Sequence, residues 1–113
     1  MQLSMIPNRS LLVAHLSGEL DHHITGELRE AIDRELMRRG VRNLAFDLTQ
    51  MSFMDSSGLG LIMGRFKKVS AIGGRLIVYG MNGNIKRIFN MCGMEKLVIV
   101  ADSLNEGMEE LDK

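Results

Sequence analysis

Tryptophan is absent from the 113 residues, and cysteine, proline and tyrosine occur once each. A lone Cys92 excludes an internal disulfide. Neither a signal-peptide pattern nor an apolar run long enough to span a bilayer is present, so the sequence predicts a soluble, cytoplasmic protein. An excess of charge is also missing. Fourteen Lys and Arg balance fourteen Asp and Glu, which leaves no net field to draw the chain to nucleic acid or to an anionic membrane. The length excludes a catalytic domain joined to a regulatory one and predicts a single domain over residues 1–113. No cofactor or metal is expected. Ten methionines stand where aromatics usually would, predicting a core filled mostly by flexible, unbranched side chains.

Strand-like segments alternate with segments of helical period and no linker intervenes, the pattern of an α/β fold with a mostly parallel sheet. Leu3 to Ile6 and Leu11 to Leu16 flank Pro7-Asn8-Arg9-Ser10 and predict a hairpin, with a turn at Ser17-Gly18. Leu28, Ala31, Ile32 and Leu36 form one apolar stripe from Ile24 to near Gly40. Val41 to Leu48 reads as a strand covered on both faces. Leu59, Ile62, Met63, Phe66 and Val69 line a second helix, with Arg65, Lys67 and Lys68 left for solvent. Leu76 to Tyr79 gives a further strand, and a short helix capped by Asn82 or Asn84 carries Ile85, Ile88 and Phe89. Leu97 to Val100 and a helix from Ser103-Leu104 complete a mixed sheet of four to five strands packed with about four helices.

The most informative stretch is Ser52-Phe53-Met54-Asp55-Ser56-Ser57-Gly58-Leu59-Gly60, between a strand and a helix. With the strand ending near Leu48 and the helix beginning near Ser57, Asp55 and Ser56 fall beyond a strand's carboxyl end, where open α/β sheets hold working residues. Either Asp55 or Ser56 suits a helix cap. Capping explains one polar residue; a run of small residues after it strips side chains from the first turn and opens the backbone to a partner. Gly58, Gly60 and Gly64 lack the spacing of a dinucleotide fingerprint and the ending of a P-loop. His22-His23 reads as part of a solvated loop, because adjacent histidines diverge and no cysteine lies near. A serine nucleophile at Ser56 or Ser57 is disfavoured by the missing Gly-x-Ser-x-Gly elbow and the shortness of the chain.

Three stretches carry a family resemblance: Leu16-Ser17-Gly18-Glu19-Leu20-Asp21, Phe53 to Gly60, and Gly73-Gly74-Arg75-Leu76 with the helix around Ile88-Phe89. In this order they resemble the STAS-domain proteins, and Asp21-His22-His23 with Ser52-Phe53-Met54-Asp55 is similar to the anti-sigma factor antagonists of sporulating bacteria. The resemblance implies a non-enzymatic regulator phosphorylated at Ser56 by an anti-sigma factor that is a serine kinase. The unphosphorylated form would bind that kinase and free the sigma factor, and a PP2C-type phosphatase would restore it. Partner contacts are expected at Asp21, Asp55, Ser57, Gly58, Leu59, Gly60, Ile62 and Arg65. An antagonist serving a stress-response pathway is the alternative of the same fold.

Overall fold

The computed structural model describes residues 1–113. Strands β1 (Gln2–Ile6), β2 (Leu11–Leu20), β3 (Asn43–Met54), β4 (Leu76–Tyr79) and β5 (Ile99–Ala101) form one sheet in sequential order. Helices α1 (His22–Arg39), α2 (Ser56–Ala71) and α3 (Gly83–Met91) connect the strands from β2 to β5, and α4 (Leu104–Leu111) ends the fold. The hairpin makes β1 antiparallel to β2, and the remaining pairs are parallel. A series of crossovers that all step one way across a sheet, each of the usual hand, puts its helices on one face. Accordingly Leu12, Ala14, Leu44, Phe46, Leu76 and Val78 belong to a large core shared with Ile32, Leu61, Ile62 and Phe89 of the three crossover helices. The alternate residues Leu11, Val13, Ala45, Ile77 and Tyr79 point the other way, where Leu104, Met108 and Leu111 of α4 cover them. Met51, Met54 and Met94 are buried, and Met5, Met63, Met81 and Met108 pack against the core, so seven of the ten methionines fill it. No helix is long and apolar enough to cross a membrane.

Element types follow the sequence pattern, but several boundaries move. The Ser17-Gly18 pair does not end β2. The strand continues to Leu20 through two register irregularities, one at His15/Ser17 and one at Gly18/Glu19. Gly18 takes φ +78°, which a side chain would resist, and the bulges let a turn-like sequence stay in the ladder. Its partner β3 likewise runs past Leu48 to Met54, so Ser52 and Phe53 are strand residues and the connection to α2 shrinks to Asp55. Ser52 Oγ donates to the Gly18 carbonyl at 3.1 Å, tying the two extensions together. His22 and His23 are not in a loop: they begin α1 with ring centroids 4.0 Å apart. Leu97 is half exposed, and the last strand starts at Ile99 after a short 3-10 turn at Met94–Lys96.

Candidate phosphorylation site and partner edge

The carboxyl edge of the sheet is built by repeating one device. In β2 and β3, Leu20 lies beside Met54, and the next residue of each chain segment is an aspartate that caps a helix. Asp21 Oδ1 accepts the His23 N–H at 2.9 Å. Asp55 Oδ1 accepts the Ser57 N–H at 2.8 Å and the Gly58 N–H at 3.3 Å, and the Asp55 N–H donates to the Leu20 carbonyl at 3.3 Å. The question left open by the sequence, Asp55 or Ser56 as cap, is thus decided for Asp55. Asn82 completes the edge. Its Oδ1 caps α3 through the Ile85 N–H, and its Nδ2 donates to the Met51 carbonyl at 3.2 Å. Three helix N-termini therefore converge on one rim, each with the positive end of its dipole toward solvent.

Ser56 occupies the first helical position of α2 and is exposed, its hydroxyl outside the Asp55 capping bonds. A cap that is already supplied leaves this hydroxyl free for chemistry. Asp21, Asp55, Ser57 and Leu59 are partly exposed and Gly60 is exposed, so these five share an accessible surface with Ser56. Gly58 does not. It is buried, and a Cβ there would collide with Met54 Cγ and press on Leu20 Cδ2 at 3.1 Å. The glycine lets the first turn of α2 sit directly on the ends of β2 and β3.

Ile62 and Arg65 correct the sequence reading more sharply. Ile62 is fully buried in the core cluster, because the apolar stripe of α2 faces the sheet and leaves no side of Ile62 for a partner. Arg65 is 5% exposed instead of solvated. Its Nε forms an ion pair with Asp33 Oδ1 of α1 at 2.8 Å without a well-formed hydrogen bond, and Asp33 Oδ2 also takes Lys68 Nζ at 3.3 Å. Nη1 donates weakly to the Leu61 carbonyl at 3.5 Å. Burial pushes the Arg65 pKa down, Asp33 opposes that shift and nearby Arg29 adds to it. Thr25, Arg29, Ser57, Gly60, Gly64 and Arg65 border a groove of about 360 Å³ between α1 and α2.

A second polar group, unsignalled by any local pattern, lies on the α4 face. His15 Nδ1 is 2.7 Å from Asp47 Oδ2 and its Nε2 is 2.9 Å from Ser4 Oγ, a chain linking β3, β2 and β1. Asp47 also accepts the Thr49 N–H and hydroxyl at 2.9 and 2.7 Å. Burial raises the Asp47 pKa, but the bonds from His15 and Thr49 outweigh it and leave the carboxyl below its ordinary range. Burial and this carboxylate push Tyr79 up to about 12. Three residues from separate strands meet here only through sheet register, so no local pattern announces them.

The five-stranded sheet, the helices on its faces and the serine at the Asp55-capped helix start define a small α/β regulatory domain, and comparison with known proteins identifies it. The chain belongs to the STAS domain family, whose sequence model matches residues 2–107. Within that family its similarity is to the anti-sigma factor antagonists. It is 36% identical over 112 residues to the anti-sigma F factor antagonist of Paenibacillus polymyxa, spanning 99% of this chain and 96% of that one. The solved structure of the antagonist SpoIIAA in its unphosphorylated form is 30% identical, with a TM-score of 0.75 over 96% of this chain and 94% of that one. The phosphorylated form of the Bacillus cell fate determinant SpoIIAA is 31% identical, with a TM-score of 0.75 over 96% of each chain.

Proposed function

We propose that this protein is a cytoplasmic anti-anti-sigma factor switched by phosphorylation of Ser56. Unphosphorylated, it binds an anti-sigma factor that is a serine kinase and thereby releases a sporulation sigma factor; the kinase inactivates it by modifying Ser56, and a PP2C-type phosphatase reverses the modification. The observation that carries this reading is an exposed Ser56 at the start of α2 whose hydroxyl is not consumed by the cap, in a chain related to a protein solved in phosphorylated and unphosphorylated forms. The 36% identity to an anti-sigma F factor antagonist across nearly the whole chain favours the sporulation circuit over a stress-response one.

The local physics explains how such a switch works without refolding. A phosphoserine adds about −1.5 to −2 charges and three acceptor oxygens. At the first position of α2 the anion lies at the positive end of the helix dipole, which accommodates it, while the Ser57 and Gly58 N–H groups stay with Asp55. Asp55 opposes it by like charge, and the group's volume covers the small-residue surface at Ser57 and Gly60 that a partner needs. Incubation with the kinase and ATP, followed by mass spectrometry, tests the site: one phosphate at Ser56, none in Ser56→Ala, and weakened kinase binding by Ser56→Asp. Phosphate at another residue, or wild-type binding by Ser56→Asp, contradicts the reading.

A further inference from the structure

Gly60 and Gly64 pose a question that packing does not answer. Both lie inside α2, where glycine costs about 1 kcal/mol relative to alanine. A Cβ at either position would meet nothing within 4 Å, and neither has positive φ. The contrast with Gly58 is direct, since there a Cβ strikes Met54. What the two glycines do is keep open the groove between α1 and α2, with Ser57 at one end and Arg65 along its wall.

The groove has an unusual charge balance. Arg65 is 95% buried by its 5% exposure, yet its Nε completes no hydrogen bond and its only other bond is the weak one to Leu61. Asp33 is shared between Arg65 and Lys68. Arg29 lies close enough that its charge bears on Arg65. The charged residues that line the groove, Arg29 and Arg65, are both cationic, and no acidic side chain is among its lining, where Gly60 and Gly64 leave the floor open. Guanidinium forks are donors shaped for a carboxylate or phosphate.

Resting on the antagonist reading, we propose that this groove receives an acidic side chain of the anti-sigma factor, held by Arg29 and Arg65 over the gap left by Gly60 and Gly64. The contact places a second recognition point one helix face away from Ser56. Recognition therefore depends on the α1–α2 pair as well as on the serine.

Affinity for the anti-sigma factor, measured by titration calorimetry alongside thermal unfolding, tests this with wild type, Gly64→Ala, Arg29→Glu and Arg29→Lys. Gly64→Ala raises the unfolding midpoint, through helix propensity, while weakening binding about tenfold by filling the groove. Arg29→Glu weakens binding about tenfold or more, and Arg29→Lys restores most of it because the charge returns. Wild-type affinity in both Gly64→Ala and Arg29→Glu overturns the groove and leaves the Ser56 switch standing. Absence of binding by wild type itself sinks the antagonist reading and the groove with it. A repeat with nucleotide-free anti-sigma factor separates the sources of the anion: a penalty for Arg29→Glu that persists assigns a protein carboxylate, and one that vanishes assigns a nucleotide phosphate and refutes the acidic side chain.

Discussion

Helices α1 and α2 start alike and serve differently. Each follows a parallel strand without a loop, each is capped by an aspartate, and the two caps stand beside one another at Leu20 and Met54. After Asp21 come two histidines whose rings touch at a tilt of 38°, and Ile24 of the same turn is 38% exposed. After Asp55 come two serines and a glycine pressed onto the strand ends. The same cap geometry therefore presents bulk at α1 and bare backbone with two free hydroxyls, that of Ser56 the more exposed, at α2. The cap makes a firm helix start; the three residues after it decide whether the start can be modified and approached.

The most damaging way to break the comparison is to separate the two helices. Asp33→Ala removes the carboxylate that both Arg65 and Lys68 use and strands a buried guanidinium. Breaking a buried pair in this way costs about 3 kcal/mol, and denaturant unfolding should show it as a lower midpoint at unchanged slope. Restoration by a second change, Arg65→Met, is expected because it removes the stranded charge while retaining volume.

Next in size is Gly58→Ala. The added methyl must displace Met54, whose side chain is buried, and overpacking of this kind costs about 1 to 3 kcal/mol. Thermal unfolding reads the loss, and the loss should fall in the variant Met54→Ala, where the collision disappears. Smaller again is removal of the caps. Asp55→Ala and Asp21→Ala each lose about 1 kcal/mol, with Asp55→Ala the larger because its Oδ1 serves two N–H groups and that of Asp21 one. Equal losses would show that the second, 3.3 Å bond contributes nothing.

These sites differ in how far the sequence disclosed them. The place of Asp55 and Ser56 between a strand and a helix was legible because capping and small-residue patterns are local, but the end of the strand was not: β3 runs to Met54 instead of stopping near Leu48. Asp21, expected among the partner contacts, stands beside Asp55 because the parallel strands β2 and β3 end together. The buried Arg65 was not legible, since arginine on a helix usually faces water and its partner Asp33 belongs to another element. The extension of β2 through Ser17-Gly18 was hidden for a related reason: a turn-like dipeptide stays in the sheet when a bulge and an adjoining strand hold it there. Ser4, His15 and Asp47 are joined by register alone.

The smallest effect is also the one that isolates α1 from α2. Gly26 stands five residues beyond the Asp21 cap, as Gly60 stands five beyond Asp55, and a Cβ at Gly26 meets nothing within 4 Å. Gly26→Ala should therefore raise stability by about 0.5 to 1 kcal/mol, through reduced freedom of the unfolded chain and better helix propensity. Gly60→Ala should raise it by a similar amount, because its surroundings are equally open. Binding then separates them. Gly60 borders the groove with Arg65 and Ser57, whereas Gly26 is not among the groove's lining residues. Unfolding curves that shift together, with affinity for the anti-sigma factor lost only in Gly60→Ala, would assign the glycine of α2 to recognition and that of α1 to no such role. Loss of affinity in both would extend the recognition surface from the groove at Arg29 to the outer side of α1 at Gly26, and loss in neither would return the two helix starts to equivalence.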